Sequence, residues 1–139
     1  MGILTDILVA APSEAEAIIA DHRHAQNWPC AQFKGLTPME LGDLCDALGI
    51  NGGYKALICI ALESEGALSI YQFPDTFPAL LAGCDDEQLR KVAVKWAAGE
   101  NLAFDEVNPA DLNVPLRRIR ELSKQALSAN KSLLLWMCV

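Results

Sequence analysis

The chain ends in the stretch KSLLLWMCV, in which seven consecutive apolar residues, 133–139, follow Ser132. This run restricts the fold more than any other feature, because apolar residues in such a number must be buried. It is far shorter than the roughly 20 residues that cross a bilayer as a helix. It also lacks a polar face, so it is typical of a strand that is covered on both faces. Residues 3–9 form a similar run. Because chain termini often lie close together, we predict that the two runs pair within one sheet.

Two further apolar runs, residues 55–62 and 67–73, flank a short polar segment that ends in Gly66. This pattern predicts a hairpin in which Gly66 supplies a positive φ. Periodicity cannot separate a strand from a buried helix in so short a run, so a helix over 54–64 stays open. We favour the strand.

Each of the four longer predicted helices begins with an N-cap residue that is followed, three positions later, by an acidic or amide residue. In some of them a proline occupies the first helical position. Gly49 and Gly99 follow apolar-periodic runs and are predicted to be left-handed caps. Pro115 either kinks the last helix or divides a short turn from a helix that starts near Val114. The N-caps are Ser13, Thr37, Asp85 and Asn108, and the predicted helices lie near 13–24, 38–48, 86–98 and 109–129, with a shorter one between Phe73 and Cys84.

Residues 24–35 show no periodic pattern, and we predict that they form the longest ordered loop. The length of 139 residues is that of one typical domain. The predicted fold class is therefore α+β, in a single compact domain over 1–139. About four to five helices pack on a small mixed sheet, which pairs the N-terminal strand, the central hairpin and the C-terminal strand.

The charge pattern restricts the class of partner. The formal net charge is −7, and residues 1–69 carry nine acidic but only three basic side chains. This balance argues against nucleic acid or an anionic membrane surface as the main partner and favours a basic protein. The five cysteines show no C-x-x-C spacing, which is typical of reduced thiols in a cytoplasmic protein. The sequence predicts no cofactor and no metal site, and it leaves the oligomeric state open.

Few residues suggest catalysis. His22 and His24 are the two histidines of the chain, and their spacing places them on different faces of a helix, so they cannot share a metal ion. His22 borders an apolar stripe, and we predict that it is a partly buried structural residue. Cys30 is the candidate nucleophile of a small enzyme, with His22 or His24 as its base. No motif marks this arrangement, so the sequence leans against an enzyme.

An acidic helix face carries the leading functional hypothesis. Glu40, Asp43 and Asp46 lie at spacings of three, and Trp28 is the aromatic residue most suited to anchor a partner. The hypothesis is a non-catalytic protein-binding domain, of the immunity or antitoxin type, that docks on a basic partner. An ordinary solvated helix face is the alternative for these acidic residues.

Two other readings remain open at this stage. Arg117, Arg120 and Lys124 line a basic helix face that could bind an anion, meet the acidic face or contact water. The chain could also be a self-associating assembly protein, in which an apolar edge strand pairs with another copy.

Overall fold

The computed structural model describes residues 3–139, which form one five-stranded sheet with helices packed on both faces. The α+β prediction is confirmed. The strands are β1 Leu4–Ala10, β2 Cys30–Lys34, β3 Ile58–Leu62, β4 Leu68–Gln72 and β5 Ser132–Cys138. Their order across the sheet is β2-β1-β5-β4-β3.

The two terminal runs pair as predicted and form the centre of the sheet. β1 and β5 are in register from Leu4 opposite Cys138 to Ala10 opposite Ser132. All four strand pairings are antiparallel, so the sheet is antiparallel rather than mixed. Near-continuous apolar runs are typical of parallel strands because such strands are covered on both faces. Here helices cover both faces of antiparallel strands, which produces the same apolar pattern.

The helices are α1 Ala15–Ala20, α2 His24–Asn27, α3 Pro38–Ala47, α4 Thr76–Ala82, α5 Asp86–Ala97, α6 Glu100–Phe104 and α7 Asn113–Ala129. Pro115 is the third residue of α7, which follows a separate 3-10 turn over Pro109–Leu112. The dividing role predicted as one alternative for Pro115 is therefore observed. The helix alternative for 54–64 is wrong, since Ile58–Leu62 forms a strand.

Two capping boxes form as predicted. Asp85 Oδ1 accepts from the Gln88 N–H at 2.8 Å, and Gln88 Oε1 accepts from the Asp85 N–H at 2.8 Å. Thr37 and Glu40 make the equivalent pair at the start of α3. Gly49 has the positive φ expected of it, whereas Gly99 does not, because it precedes α6 with φ −63°.

The region from 13 to 35 differs most from the prediction. The helix expected over 13–24 ends at Ala20, and its start is stabilised by Glu14, which accepts from the Ala11 N–H at 2.9 Å. The predicted loop over 24–35 is wrong, because this segment contains α2 and the edge strand β2. Both elements are short, and β2 gains its order from hydrogen bonds to β1 rather than from an apolar pattern of its own.

The sheet separates two cores of unequal size. On one face, Ile7, Val9 and Leu135 belong to the main core, which is closed by α3, α4, α5 and α7. On the other face, Leu8 and Leu134 pack against α1 in a smaller core. α1 and α2 do not cover this second face completely, since Leu4 at its margin stays 47% exposed. Part of the second face therefore stays accessible to solvent.

Candidate functional site

Asp6 is a charged residue in the middle of a central strand. Side chains alternate between the two faces along β1, so Asp6 shares the second face with Leu8. In the sheet register its neighbours are Gln32 on β2 and Trp136 on β5. Asp6 is only 4% exposed. A carboxylate at this depth needs a partner, because burial of an unpaired charge is strongly unfavourable.

His24 provides that partner from the first residue of α2. Its Nε2 donates to Oδ2 of Asp6 at 2.6 Å, and the imidazole stacks on the Trp136 ring with centroids 4.3 Å apart. Within residues 3–139, Asp6 is the only side chain that hydrogen-bonds to this ring. A carboxylate in this position fixes the tautomer and orientation of the imidazole, as it does for a general base.

The chain turns at Asp21 to bring His24 to the sheet. Asp21 has extended backbone and accepts from the Arg23 N–H at 2.7 Å and from Asn27 Nδ2 at 2.6 Å. The prediction that His22 is the partly buried histidine is wrong. His22 is exposed and His24 is buried, because α1 ends before either residue.

Cys30 adjoins the pair at the start of β2. It lies opposite Leu8 in the register, on the same face as Asp6, and the ligand atoms of Asp6, His24 and Cys30 all lie within 4.8 Å of one another. Burial, followed by the charge and hydrogen bond of Asp6, raises the pKa of the Cys30 thiol to about 12. A nucleophilic cysteine has the opposite shift. The arrangement therefore does not favour Cys30 as a nucleophile activated by His24.

A pocket of about 390 Å³ opens where α1 and α2 leave the second face uncovered. Its volume lies within the range of small-molecule sites. The Asp6–His24 pair contributes polar groups to its wall, and Trp136 and Leu4 contribute apolar surface. The lining residues are Leu4, Asp6, His24, Gln32, Phe33, Lys34 and Trp136.

Trp28 has an internal role that is visible in the structure. It is half-buried against the smaller core, and its Nε1 donates to Oε2 of Glu14 at 3.1 Å. Lys131 lies 3.7 Å from the same carboxylate. The Ala11 N–H and Trp28 lower the pKa of Glu14. These contacts hold α1 and α2 over the sheet, and a role of Trp28 as a partner anchor stays a prediction.

The three predicted acidic residues do not form a uniformly free face. Glu40 caps α3, and Asp43 Oδ2 accepts from both the backbone N–H and the Nδ2 of Asn101 at 3.0 Å. Asp46 is exposed. Their role in binding stays a prediction, and two of the three carboxylates already stabilise the fold.

The predicted anion-binding residues are divided in a similar way. Arg120 donates to Oδ1 of Asp86 at 2.9 Å and to the Cys84 carbonyl at 3.1 Å, and Lys124 lies 3.6 Å from Glu121. Arg117 is exposed. Arg120 and Lys124 therefore already have acidic partners within the chain, and anion binding there stays a prediction.

Sequence spacing concealed the cluster of Asp6, His24 and Cys30. The three residues are separated by 18 and 6 positions, and strand register and the turn into α2 bring them together. One signal was available, since Asp6 interrupts an apolar run that is otherwise typical of a buried strand. The sequence does not identify the partner of Asp6, because the aperiodic segment 24–35 predicts a loop rather than α2 and β2.

Comparison with known proteins gave no match, whether with family models, with curated proteins or with solved structures. Of the helices formed by residues 3–139, none combines the length and apolar character needed to cross a membrane.

Proposed function

We propose that the protein binds a small organic molecule in the pocket beside Asp6, His24 and Trp136. The observation that carries this proposal is the position of the Asp6–His24 pair, which is nearly buried and yet lines an open pocket. Paired titratable groups in a concave site are typical of binding and catalytic centres.

Stability is a poor explanation for this pair. The cost of burying such a polar pair offsets much of the attraction within it, and apolar residues of similar volume often replace a buried pair without loss of stability. Other positions on the same face are suited to apolar packing, as Leu8 and Ile70 show by being fully buried. A polar pair in this setting supports recognition of a ligand rather than consolidation of the core.

The lining residues indicate the class of ligand. Trp136 and Leu4 favour a flat apolar group, and the Asp6–His24 pair favours a hydrogen-bonding group directed at the sheet. Lys34 is exposed at the margin and favours a negatively charged substituent. The expected ligand is therefore a small planar acid, such as an aromatic carboxylate.

A protein-observed NMR screen of aromatic carboxylates and their neutral amides tests the proposal. EDTA is present throughout, so that metal ions play no part. We expect several acids to bind and to shift the indole signal of Trp136. Lys34→Ala should weaken the binding of the acids more than that of the amides. Lys55→Ala, which replaces another exposed lysine, should leave the binding of both classes unchanged. Binding that leaves the Trp136 signal unchanged, or no binding at all, would contradict the proposal.

We also propose, as a second candidate, that a basic protein docks on the cleft between α3 and α6. Asp43, Asp46 and Glu100 line this cleft together with Lys95, and the chain has a net charge of −7. Opposite charge would accelerate association with a basic surface.

The structure shows which charges can be reversed safely to test this docking. Asp46→Lys with Glu100→Lys removes two exposed charges and spares the hydrogen bonds of Asp43. Glu16→Lys with Glu65→Lys changes the net charge equally at exposed sites on other elements. A basic protein captured by the wild type should be lost with the first variant and kept with the second. Equal capture by both variants would remove the cleft from the interface.

A further inference from the structure

We propose that Asp6, His24 and Cys30 form a binding site for a divalent transition metal ion of the Zn²⁺ class. The inference goes beyond the binding of an organic ligand and does not depend on it. Three side chains that each offer a metal ligand converge from β1, α2 and β2, with their ligand atoms within 4.8 Å of one another.

The combination of ligand types selects the class of ion. Imidazole nitrogen, carboxylate oxygen and thiolate sulfur together are typical ligands of Zn²⁺. Mg²⁺ and Ca²⁺ prefer sets made entirely of oxygen, so the sulfur of Cys30 argues against them. Three protein ligands with a fourth position left to water or substrate is the pattern of catalytic rather than structural zinc sites.

The backbone holds the three residues in place. Asp6 and Cys30 are diagonal neighbours on one face of the β1–β2 pair, because Leu8 lies opposite Cys30 in the register. His24 is held from above by its stacking on Trp136 and by the Trp28 N–H, which donates to the His24 carbonyl at 3.1 Å. Small side-chain rotations are therefore enough to direct all three ligand atoms at one ion.

The site has one open side. Asp6 and His24 line the pocket of about 390 Å³, so a fourth ligand can approach the ion from there. Cys30 instead borders a separate shallow groove beside Arg117 and Arg118. On binding, the thiol of Cys30 gives up its proton to solvent, and His24 coordinates as a neutral imidazole with its ring proton on the nitrogen that does not bind the ion. The ion compensates the negative charges of the thiolate and the Asp6 carboxylate.

Titration of the full chain, free of any histidine tag, with Co²⁺ tests the site. We expect an absorption band from thiolate-to-Co²⁺ charge transfer that saturates at one equivalent and disappears when Zn²⁺ is added. Cys30→Ser should abolish this band. Cys84→Ser should keep it, since Cys84 is also half-buried and its thiol donates to the Leu80 carbonyl. The absence of a band in the wild type, or its survival in Cys30→Ser, would overturn the proposal.

A second measurement keeps the proposal testable if a serine variant folds poorly. Zn²⁺ should raise the Tm of the wild type in a concentration-dependent way, because it binds the folded state preferentially. Asp6→Asn and His24→Asn should each weaken Co²⁺ binding by at least about tenfold, because loss of a direct ligand should cost no less than loss of an outer-shell partner. Unchanged Tm in excess Zn²⁺ would contradict the site. The NMR screen of aromatic carboxylates contains EDTA, so its result does not depend on a metal ion. A protein that fails to bind Co²⁺ can therefore still bind the organic ligand, and a protein that fails to bind the organic ligand can still bind Co²⁺.

Discussion

One face of the central strands carries Ile7, Val9 and Leu135 beneath four helices. The opposite face of the same strands carries Asp6 and Trp136 beside a pocket, under two short helices that cover it only in part. The first arrangement maximises apolar burial, which is the main source of folding free energy. The second leaves polar and aromatic groups within reach of a ligand. Apolar burial therefore dominates one face of the sheet, and the proposed ligand site lies on the other.

Removal of residues 133–139 should have the largest effect on stability, because β5 contributes buried side chains to the cores on both faces of the sheet. The deletion separates β1 from β4 and removes Leu133, Leu134 and Leu135, which are all buried. We expect the variant to lose its cooperative thermal transition, as measured by circular dichroism. Removal of Val139 alone, which is 77% exposed, should leave the transition nearly unchanged. A cooperative melt after the longer deletion would contradict the central position of β5.

Truncation of one leucine on each face compares the contributions of the two cores to the free energy of unfolding. Leu135 belongs to the main core and Leu134 to the smaller core, and both are fully buried. The cost of such a truncation depends on how well the site can collapse. We expect Leu135→Ala to reduce the free energy of unfolding by about 3–5 kcal/mol and Leu134→Ala by about 2–3 kcal/mol. Urea denaturation measures the free energy of unfolding of both variants. A larger loss of stability for Leu134→Ala would contradict the conclusion that the core around Leu135 contributes more to stability.

The ion pair between Arg120 and Asp86, on the side of the main core, should contribute less to stability, and its contribution should depend on pH. The hydrogen bond and charge of Arg120 lower the pKa of Asp86. A lowered pKa stabilises the fold above the unfolded value, which is about 3.9, and this contribution is lost as the pH falls through the folded value.

The Asp86→Asn variant tests this contribution. It should be less stable than the wild type near pH 7, and the difference should shrink as the pH falls below about 4. Asp105→Asn is a suitable control, since Asp105 is exposed and makes no ion pair with any described residue. Thermal melts across this pH range measure the effect. A difference that is independent of pH would contradict the ion pair.

Thiol labelling distinguishes the environments of the cysteines without changing stability. Burial raises the pKa of both Cys30 and Cys45 to about 12, so neither should form much thiolate at neutral pH. Cys59 is exposed on the edge strand β3. We expect an alkylating reagent to modify Cys59 well before Cys30 and Cys45, as measured by peptide mass spectrometry. Equal labelling of Cys30 and Cys59 would show that the second face is more open than described.

The sequence was most informative about the main core. The terminal runs and the hairpin predicted four of the strands, because long apolar runs leave few alternatives to burial. The capping patterns at Thr37 and Asp85 predicted α3 and α5, because local hydrogen bonds determine such helix starts.

The second face was harder to predict, because its elements are short and depend on tertiary contacts. β2 and α2 have five and four residues, and neither shows a period of its own. The contact of Asp6 with His24 on this face joins residues 18 positions apart, and the contact of Asp43 with Asn101 on the side of the main core joins residues 58 positions apart. Such pairs become visible only once strand register and helix packing are known.

A double replacement tests the proposal that the Asp6–His24 pair serves ligand recognition rather than stability. His24→Leu alone should lower the free energy of unfolding by about 3 kcal/mol, because it leaves the Asp6 carboxylate buried without its partner. The double variant Asp6→Leu with His24→Leu should recover the stability of the wild type or exceed it, and should bind neither aromatic carboxylates nor Co²⁺. A double variant as unstable as the single one would contradict the claim, since the pair would then be a structural element of the second face.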